Sequence, residues 1–171
     1  MKTRKLLATL ATLAPFTAAA DALPKPIADM ECLVGTWKGT GSLTMGKDKA
    51  KVDLTWTCKR TSGDHGVTCN LALTGIPGLT KYEETDLFGY DPSSSTYHWF
   101  SVTNAGETHD HVAKAPAGNK LQFVYTGTQE GKPFKEVIDL ELGKDTKTIA
   151  VRSETFVAGA STSVLDVKAK K

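Results

Sequence analysis

The chain has 171 residues, of which 40% are hydrophobic and 23% charged, and a formal net charge of +2. Lys2, Arg4 and Lys5 precede an apolar run from Leu6 to Phe16 and the small residues Thr17 to Ala22, which is the layout of a secretory signal cleaved after Ala20 or Ala22. Setting residues 1–22 aside leaves 18 basic against 18 acidic side chains, a near-neutral balance that gives nucleic acid or an anionic membrane no basic field to recognise.

No segment of 23–171 is apolar enough to cross a membrane, and its length suits one domain with one core. The expected destination is outside the cytoplasm, periplasmic or secreted. The basic tail Lys168, Lys170, Lys171 reads as a solvated end.

After a lead-in marked by Pro24 and Pro26 and a short apolar turn with Ile27, Met30 and Leu33, turn signals recur every 8 to 12 residues. They fall at Gly46–Lys49, Ser62–His65, Gly75–Gly78, Asp91–Ser95, Asn104–Glu107, Pro116–Asn119, Glu130–Pro133, Gly143–Asp145 and Ala158–Ala160. Nine turns separate ten strands. Between them period-two alternation shows in Val52, Leu54, Trp56 and in Ile138, Leu140, Leu142, and no helical period appears. A meander of this kind removes its edges by closing, so the expected fold is an all-β, ten-stranded antiparallel up-and-down barrel.

Register can be carried from turn to turn. A two-residue turn at Gly63-Asp64 sets Cys58 opposite Cys69, Trp56 opposite Leu71 and Leu54 opposite Leu73. This favours a Cys58–Cys69 disulfide, although the same count puts the pair at a wide, hydrogen-bonded position; two buried thiols are the alternative. Cys32 is left as a buried or unpaired thiol.

Counting back through Gly46–Lys49 sets Leu43 opposite Val52, Gly41 opposite Leu54 and Gly39 opposite Trp56. Counting forward puts Tyr82, Glu84, Asp86 and Phe88 inside, then His98, Phe100 and Val102, then His109 and His111. The lining continues with Leu121, Phe123 and Tyr125, with Ile138, Leu140 and Leu142, with Ile149 and Val151, and with Leu165 and Val167.

The opening Gly35-Thr36-Trp37-Lys38-Gly39-Thr40-Gly41 has the form G-x-W-x-G-x-G. It resembles the first strand of nitrobindin-like members of the lipocalin-like (calycin) barrels, and the span from Leu33 to Lys168 is similar to small secreted bacterial barrels of that kind. The resemblance implies a ligand. In nitrobindins a late histidine ligates haem; here no histidine follows His111, so no haem ligand is carried over. On physical grounds Trp37 plugs one end of the barrel, while Gly39 and Gly41 let the strand bend and give Trp56 room.

The expected lining is interrupted by Glu84, Asp86, His98, His109 and His111, groups that are costly to bury unless paired or solvated. Phe100 falls opposite His111 in this register, with His98 diagonal to it. Three readings stay open: a hydrated polar patch, polar contacts to a ligand, or a metal or catalytic centre. For the last, His98, His109 and His111 would ligate a divalent ion such as zinc, or a histidine would act as base.

A three-residue loop at Asn104–Gly106 would instead pair His109 with Ser101 and, with the inward face of the first strand kept, turn both histidines outward. Tyr82, Tyr125, Trp56 and Phe100 are the candidate aromatic contacts. The leading expectation is an exported barrel that binds a small, partly apolar molecule. The alternatives are a metal-dependent or histidine-based enzyme on the same barrel, and a filled barrel that acts through its outer surface in the envelope.

Overall fold

The structure, a computed structural model, describes residues 25–171; the leader read over 1–22 lies outside the described residues. A short helix α1 (Lys25–Met30) and a 3-10 turn (Glu31–Leu33) lead into ten strands. These are β1 (Gly35–Met45), β2 (Asp48–Arg60), β3 (Val67–Thr74), β4 (Tyr82–Asp91), β5 (Thr96–Thr103), β6 (Thr108–Ala113), β7 (Lys120–Gln129), β8 (Lys132–Leu142), β9 (Thr148–Val157) and β10 (Ala160–Lys170). Each strand pairs antiparallel with the next, and β10 pairs with β1 to close the barrel. All nine expected turns are present. No helix among the described residues is long and apolar enough to cross a membrane.

The first hairpin turns on two residues, Gly46 and Lys47, so Leu43 lies opposite Ala50, Gly41 opposite Val52, Gly39 opposite Leu54 and Trp37 opposite Trp56. The expected register is thus displaced by two residues, which preserves the inner face. It also corrects the role of the glycines. A methyl group on Gly39 would collide with the Lys168 carbonyl, and one on Gly41 with the Asp166 carbonyl. The space is needed by the β10 backbone at the closing seam, where Gly39 and Gly41 face Ala169 and Val167.

In the next hairpin Cys58 faces Cys69, Trp56 faces Leu71 and Leu54 faces Leu73, as the sequence indicated. The turn is wider than two residues: the Thr61 amide donates to the Gly66 carbonyl at 3.0 Å. Alternation from that hydrogen-bonded pair makes Cys58 and Cys69 a narrow, non-hydrogen-bonded pair. Their Cα atoms are 4.0 Å apart and the disulfide is formed. The expected wide position is corrected by the extra turn residues.

Two further loops correct the inner face. Asp91 pairs with Thr96 across four residues, Pro92 to Ser95. The Asp91 carboxylate accepts hydrogen bonds from the Ser93 amide and the Ser93 and Ser94 hydroxyls, which holds this length. An even-numbered loop puts Tyr97, Trp99, Ser101 and Thr103 inside, all buried, and turns His98, Phe100 and Val102 outward. Phe100 is 41% exposed and Val102 45%.

The Asn104–Gly106 loop then has three residues, closed by Thr103 N–H to the Glu107 carbonyl and by Gly106 N–H to the Thr103 carbonyl, both 3.0 Å. His109 accordingly faces Ser101 and His111 faces Trp99. This second parity change cancels the first, so His109 and His111 point inward as expected, opposite different partners.

The end of the barrel that carries α1 is shut. Trp37 is fully buried there beside Met30 and Leu33, and its indole N–H donates to the Leu33 carbonyl at 2.7 Å. The tail lysines Lys168, Lys170 and Lys171 are exposed, as expected, and the last of them is tethered to the α1 end. Lys171 Nζ donates to the Cys32 carbonyl at 2.7 Å and sits 4.7 Å from the Trp37 ring centre. Cys32 is a half-buried free thiol whose Sγ lies 2.9 Å from the Asp29 carbonyl, and burial pushes its pKa up.

Candidate functional site

Above the plug, four aromatic residues form the floor of the interior. Trp56 and Trp99 stack at 5.6 Å between ring centres, Phe88 lies 4.8 Å from Trp99, and Phe123 meets both Phe88 and Trp99 edge-on. Asp86 is buried among them and accepts both indole N–H groups, from Trp56 at 2.9 Å and from Trp99 at 2.8 Å. Each oxygen of the buried carboxyl group thus accepts one indole donor.

From this floor a cavity of about 510 Å³ rises to the rim at Leu79, Glu107 and Gln129. One wall is apolar, built on Leu43, Leu71, Leu73, Phe134, Ile138 and Leu165. The other carries Tyr82, Glu84, Ser101, His109, His111, Glu136 and Ser153. β4, β5 and β6 supply Tyr82, Glu84, Ser101, His109 and His111, β1 and β3 supply Leu43, Leu71 and Leu73, and β8 contributes to both characters, with Glu136 between Phe134 and Ile138 on one inward face.

The centre of the polar wall is Glu136. Its Oε2 lies 2.9 Å from His111 Nε2 and 3.4 Å from His109 Nδ1, and its Oε1 accepts the Ser153 hydroxyl at 2.7 Å. Burial opposes ionisation of Glu136. The hydrogen bonds from His109, His111 and Ser153 overcome it and hold the carboxyl well below the usual carboxylate range. The hydrogen bond with Glu136 raises the His109 pKa in turn. The His109 ring is fixed by stacking on Tyr125, 4.2 Å away and tilted by 16°. His111 Nδ1 faces the Trp99 carbonyl at 3.2 Å; a carbonyl only accepts, so this nitrogen is the donor.

Glu84 behaves oppositely. Burial first, and then the neighbouring Asp86, push its carboxyl up to about 9, so at neutral pH it is a hydrogen-bond donor. Burial likewise raises Asp86 and Tyr82 above their ordinary values. Tyr82 donates its hydroxyl to Glu84 at 3.2 Å. The cavity thus offers one ionised carboxylate paired with imidazoles and one neutral carboxyl.

Of the residues singled out in the sequence, Tyr82, Glu84, His109 and His111 line the cavity. Asp86 and Trp56 lie beneath it and Tyr125 stands behind His109. His98 and Phe100 are on the outer face and are corrected as cavity residues. His98 there contacts Asp110 at 3.0 Å and Thr96 Oγ1 at 3.0 Å, so it cannot join His109 and His111 around one ion.

The missed residues are Trp99, Ser101, Glu136 and Ser153. Glu136 had a signal: it stands two residues before Ile138 in the alternation Phe134, Glu136, Ile138, Leu140, and so shares their inward face. Trp99 and Ser101 were lost to the four-residue loop.

No family model matches the sequence, and no curated protein matches it. Among solved structures, the barrel superposes on Rv2717c from M. tuberculosis with a TM-score of 0.64 at 11% identity, covering 88% of this chain and 99% of that one. It also superposes on the S-type phycobiliprotein lyase CPES from Guillardia theta with a TM-score of 0.55 at 9% identity, covering 83% and 89%. What is shared with both is the fold, a closed antiparallel β-barrel. At these identities the likeness concerns the path of the backbone, and the G-x-W-x-G-x-G strand lies where such a barrel needs its plug and its closing seam.

Proposed function

We propose that the protein binds a small amphipathic molecule inside the barrel. The observation that carries this is the cavity itself, about 510 Å³ with one aliphatic and one polar wall. That volume is within the range of small-molecule sites, and a few convergent polar groups on an apolar surface are what orient a ligand there. The ligand's apolar body lies against Leu43, Leu71, Leu73 and Leu165. Its polar end meets Glu84 as a donor and the Glu136 cluster as an acceptor. A filled barrel working only through its surface has no use for this volume. An exported location accords with the Cys58–Cys69 disulfide, since such bonds persist in oxidising compartments.

The test combines native mass spectrometry of the purified protein with titration of an amphipathic fluorescent probe, anilinonaphthalene sulfonate, using Trp99 at the cavity floor as energy donor. Saturable one-to-one binding that is lost in Leu71→Trp, which fills the cavity, is the expected result. Absence of any co-purified molecule together with probe binding unaffected by Leu71→Trp would overturn the reading.

A further inference from the structure

His109, His111 and Glu136 form a cluster whose ligand atoms all lie within 4.8 Å of one another. Both imidazole nitrogens converge on a single oxygen, Glu136 Oε2. Because His111 Nδ1 donates to the Trp99 carbonyl, its Nε2 is the nitrogen left to face the carboxylate at 2.9 Å. At this distance a shared proton joins the two atoms, and a metal ion bound here takes the place of that proton.

The surrounding contacts are those that position metal ligands. The Trp99 carbonyl sets the His111 tautomer, the Ser153 hydroxyl occupies the other Glu136 oxygen, and stacking on Tyr125 orients His109. The fourth side of the cluster faces the cavity.

We propose that His109 Nδ1, His111 Nε2 and the Glu136 carboxylate hold a divalent transition-metal ion of the zinc type, with its remaining position open to a Lewis-basic group of the bound molecule. Two nitrogens and one carboxylate suit such an ion better than magnesium or calcium, which take mainly oxygen ligands. Three protein ligands with an open fourth position are the arrangement of zinc sites that bind or activate a second molecule. A tetrahedral zinc needs ligand separations of about 3.4 Å; His109 Nδ1 and Glu136 Oε2 already stand 3.4 Å apart, and the 2.9 Å between His111 Nε2 and Glu136 Oε2 widens by roughly half an ångström on loading. The proposal deepens the pocket reading and rests on it, because it is the cavity that keeps the fourth position free.

The experiment is a zinc titration, by calorimetry, of untagged full-length protein freed of metal with a chelator. One equivalent per chain is expected, with affinity at least about 10-fold weaker in Glu136→Gln and in His109→Ala. Cys32→Ser and His98→Ala, which alter the free thiol and the outer-face histidine, should leave it unchanged. Cobalt loading adds a readout of coordination: visible absorption is expected in the parent protein and absent in His109→Ala. Circular dichroism checks each variant's fold; half-buried His109 is chosen because its truncation is better tolerated than that of His111.

Binding of less than one equivalent, or affinity untouched by both Glu136→Gln and His109→Ala, overturns the proposal. Probe binding is measured on the same metal-free protein. If it persists there while zinc does not bind, the metal proposal fails and the pocket stands; if the probe fails and zinc binds with the expected losses in the variants, the three ligands stand while the pocket reading, and with it the ion's open position for a bound molecule, is overturned.

Discussion

His111 on β6 and Glu136 on β8 meet at 2.9 Å although β7 runs between their strands. The two backbones on either side of that gap are sparsely joined, since β6 and β7 share one paired position, Val112 with Val124. The inner-face cluster therefore ties β6 to β8 where the sheet ladder is thin. Truncating Glu136 to Ala leaves two inward imidazoles without their acceptor and is expected to cost about 3–5 kcal/mol, against about 1–3 kcal/mol for Ser153→Ala. Urea unfolding reads the totals, and hydrogen exchange should accelerate first at β6 and β7.

Stability should be greatest in mildly acid solution. Glu84 binds its proton more tightly folded than unfolded, so its contribution is complete below pH 4.5 and is lost as the pH rises toward about 9. His109 acts in the same direction: its raised pKa stabilises the fold below about pH 6.5 and loses that contribution as pH climbs through the folded value. Glu136 has the opposite sign, stabilising above about pH 4.5 and losing that as pH falls. Urea midpoints from pH 4 to 9 should decline toward the alkaline end, and Glu84→Gln should flatten the decline. An upward slope in the parent protein would contradict the assignment of Glu84 as neutral.

Asp86 serves two indoles at once, and Asp86→Asn offers only one acceptor oxygen. One of Trp56 and Trp99 then loses its partner, at about 1–3 kcal/mol. Tryptophan emission should shift and broaden as one ring is released from its hydrogen bond. Asp86→Leu removes the acceptor for both and is expected to cost more than Asn.

Gly41→Val should open the closing seam, because the new side chain meets the Asp166 carbonyl of β10. A loss of about 1–3 kcal/mol is expected from overpacking, with faster exchange of β1 and β10 amides than of β2 and β3. Equal protection of both strand pairs would show that the seam accommodates a side chain.

Reduction of Cys58–Cys69, which closes a loop with a sequence separation of 11, should lower stability by about 3 kcal/mol. Cys32→Ser should leave the reductant effect intact, since its thiol is outside the bridge.

Strand number, turn positions and the face of β2, β3 and β4 were legible in the sequence because alternation and turn chemistry are local. Val52, Leu54, Trp56 and Cys58 declare their face within a single strand, and Cys58 opposite Cys69 follows from one turn. Loop parity is less accessible. Whether the Asp91 loop has four residues depends on hydrogen bonds from Ser93 and Ser94 to one carboxylate, and whether the Asn104 loop has three depends on where Thr103 and Glu107 close. Each single-residue difference reverses a whole strand, which is how His98 and Phe100 changed face while His109 and His111 kept theirs.

The histidine and carboxylate residue types were therefore readable one by one, as was the strand that carries each. Which of them meet was decided by the register and curvature of β6, β7 and β8. The inward curvature of the sheet lets side chains of β6 and β8 meet over β7, so that Glu136, distant in sequence and separated by a whole strand, becomes the partner of both histidines. Pairwise register describes adjacent strands; a contact that skips a strand depends on how the sheet curves and how far the inward side chains reach over it.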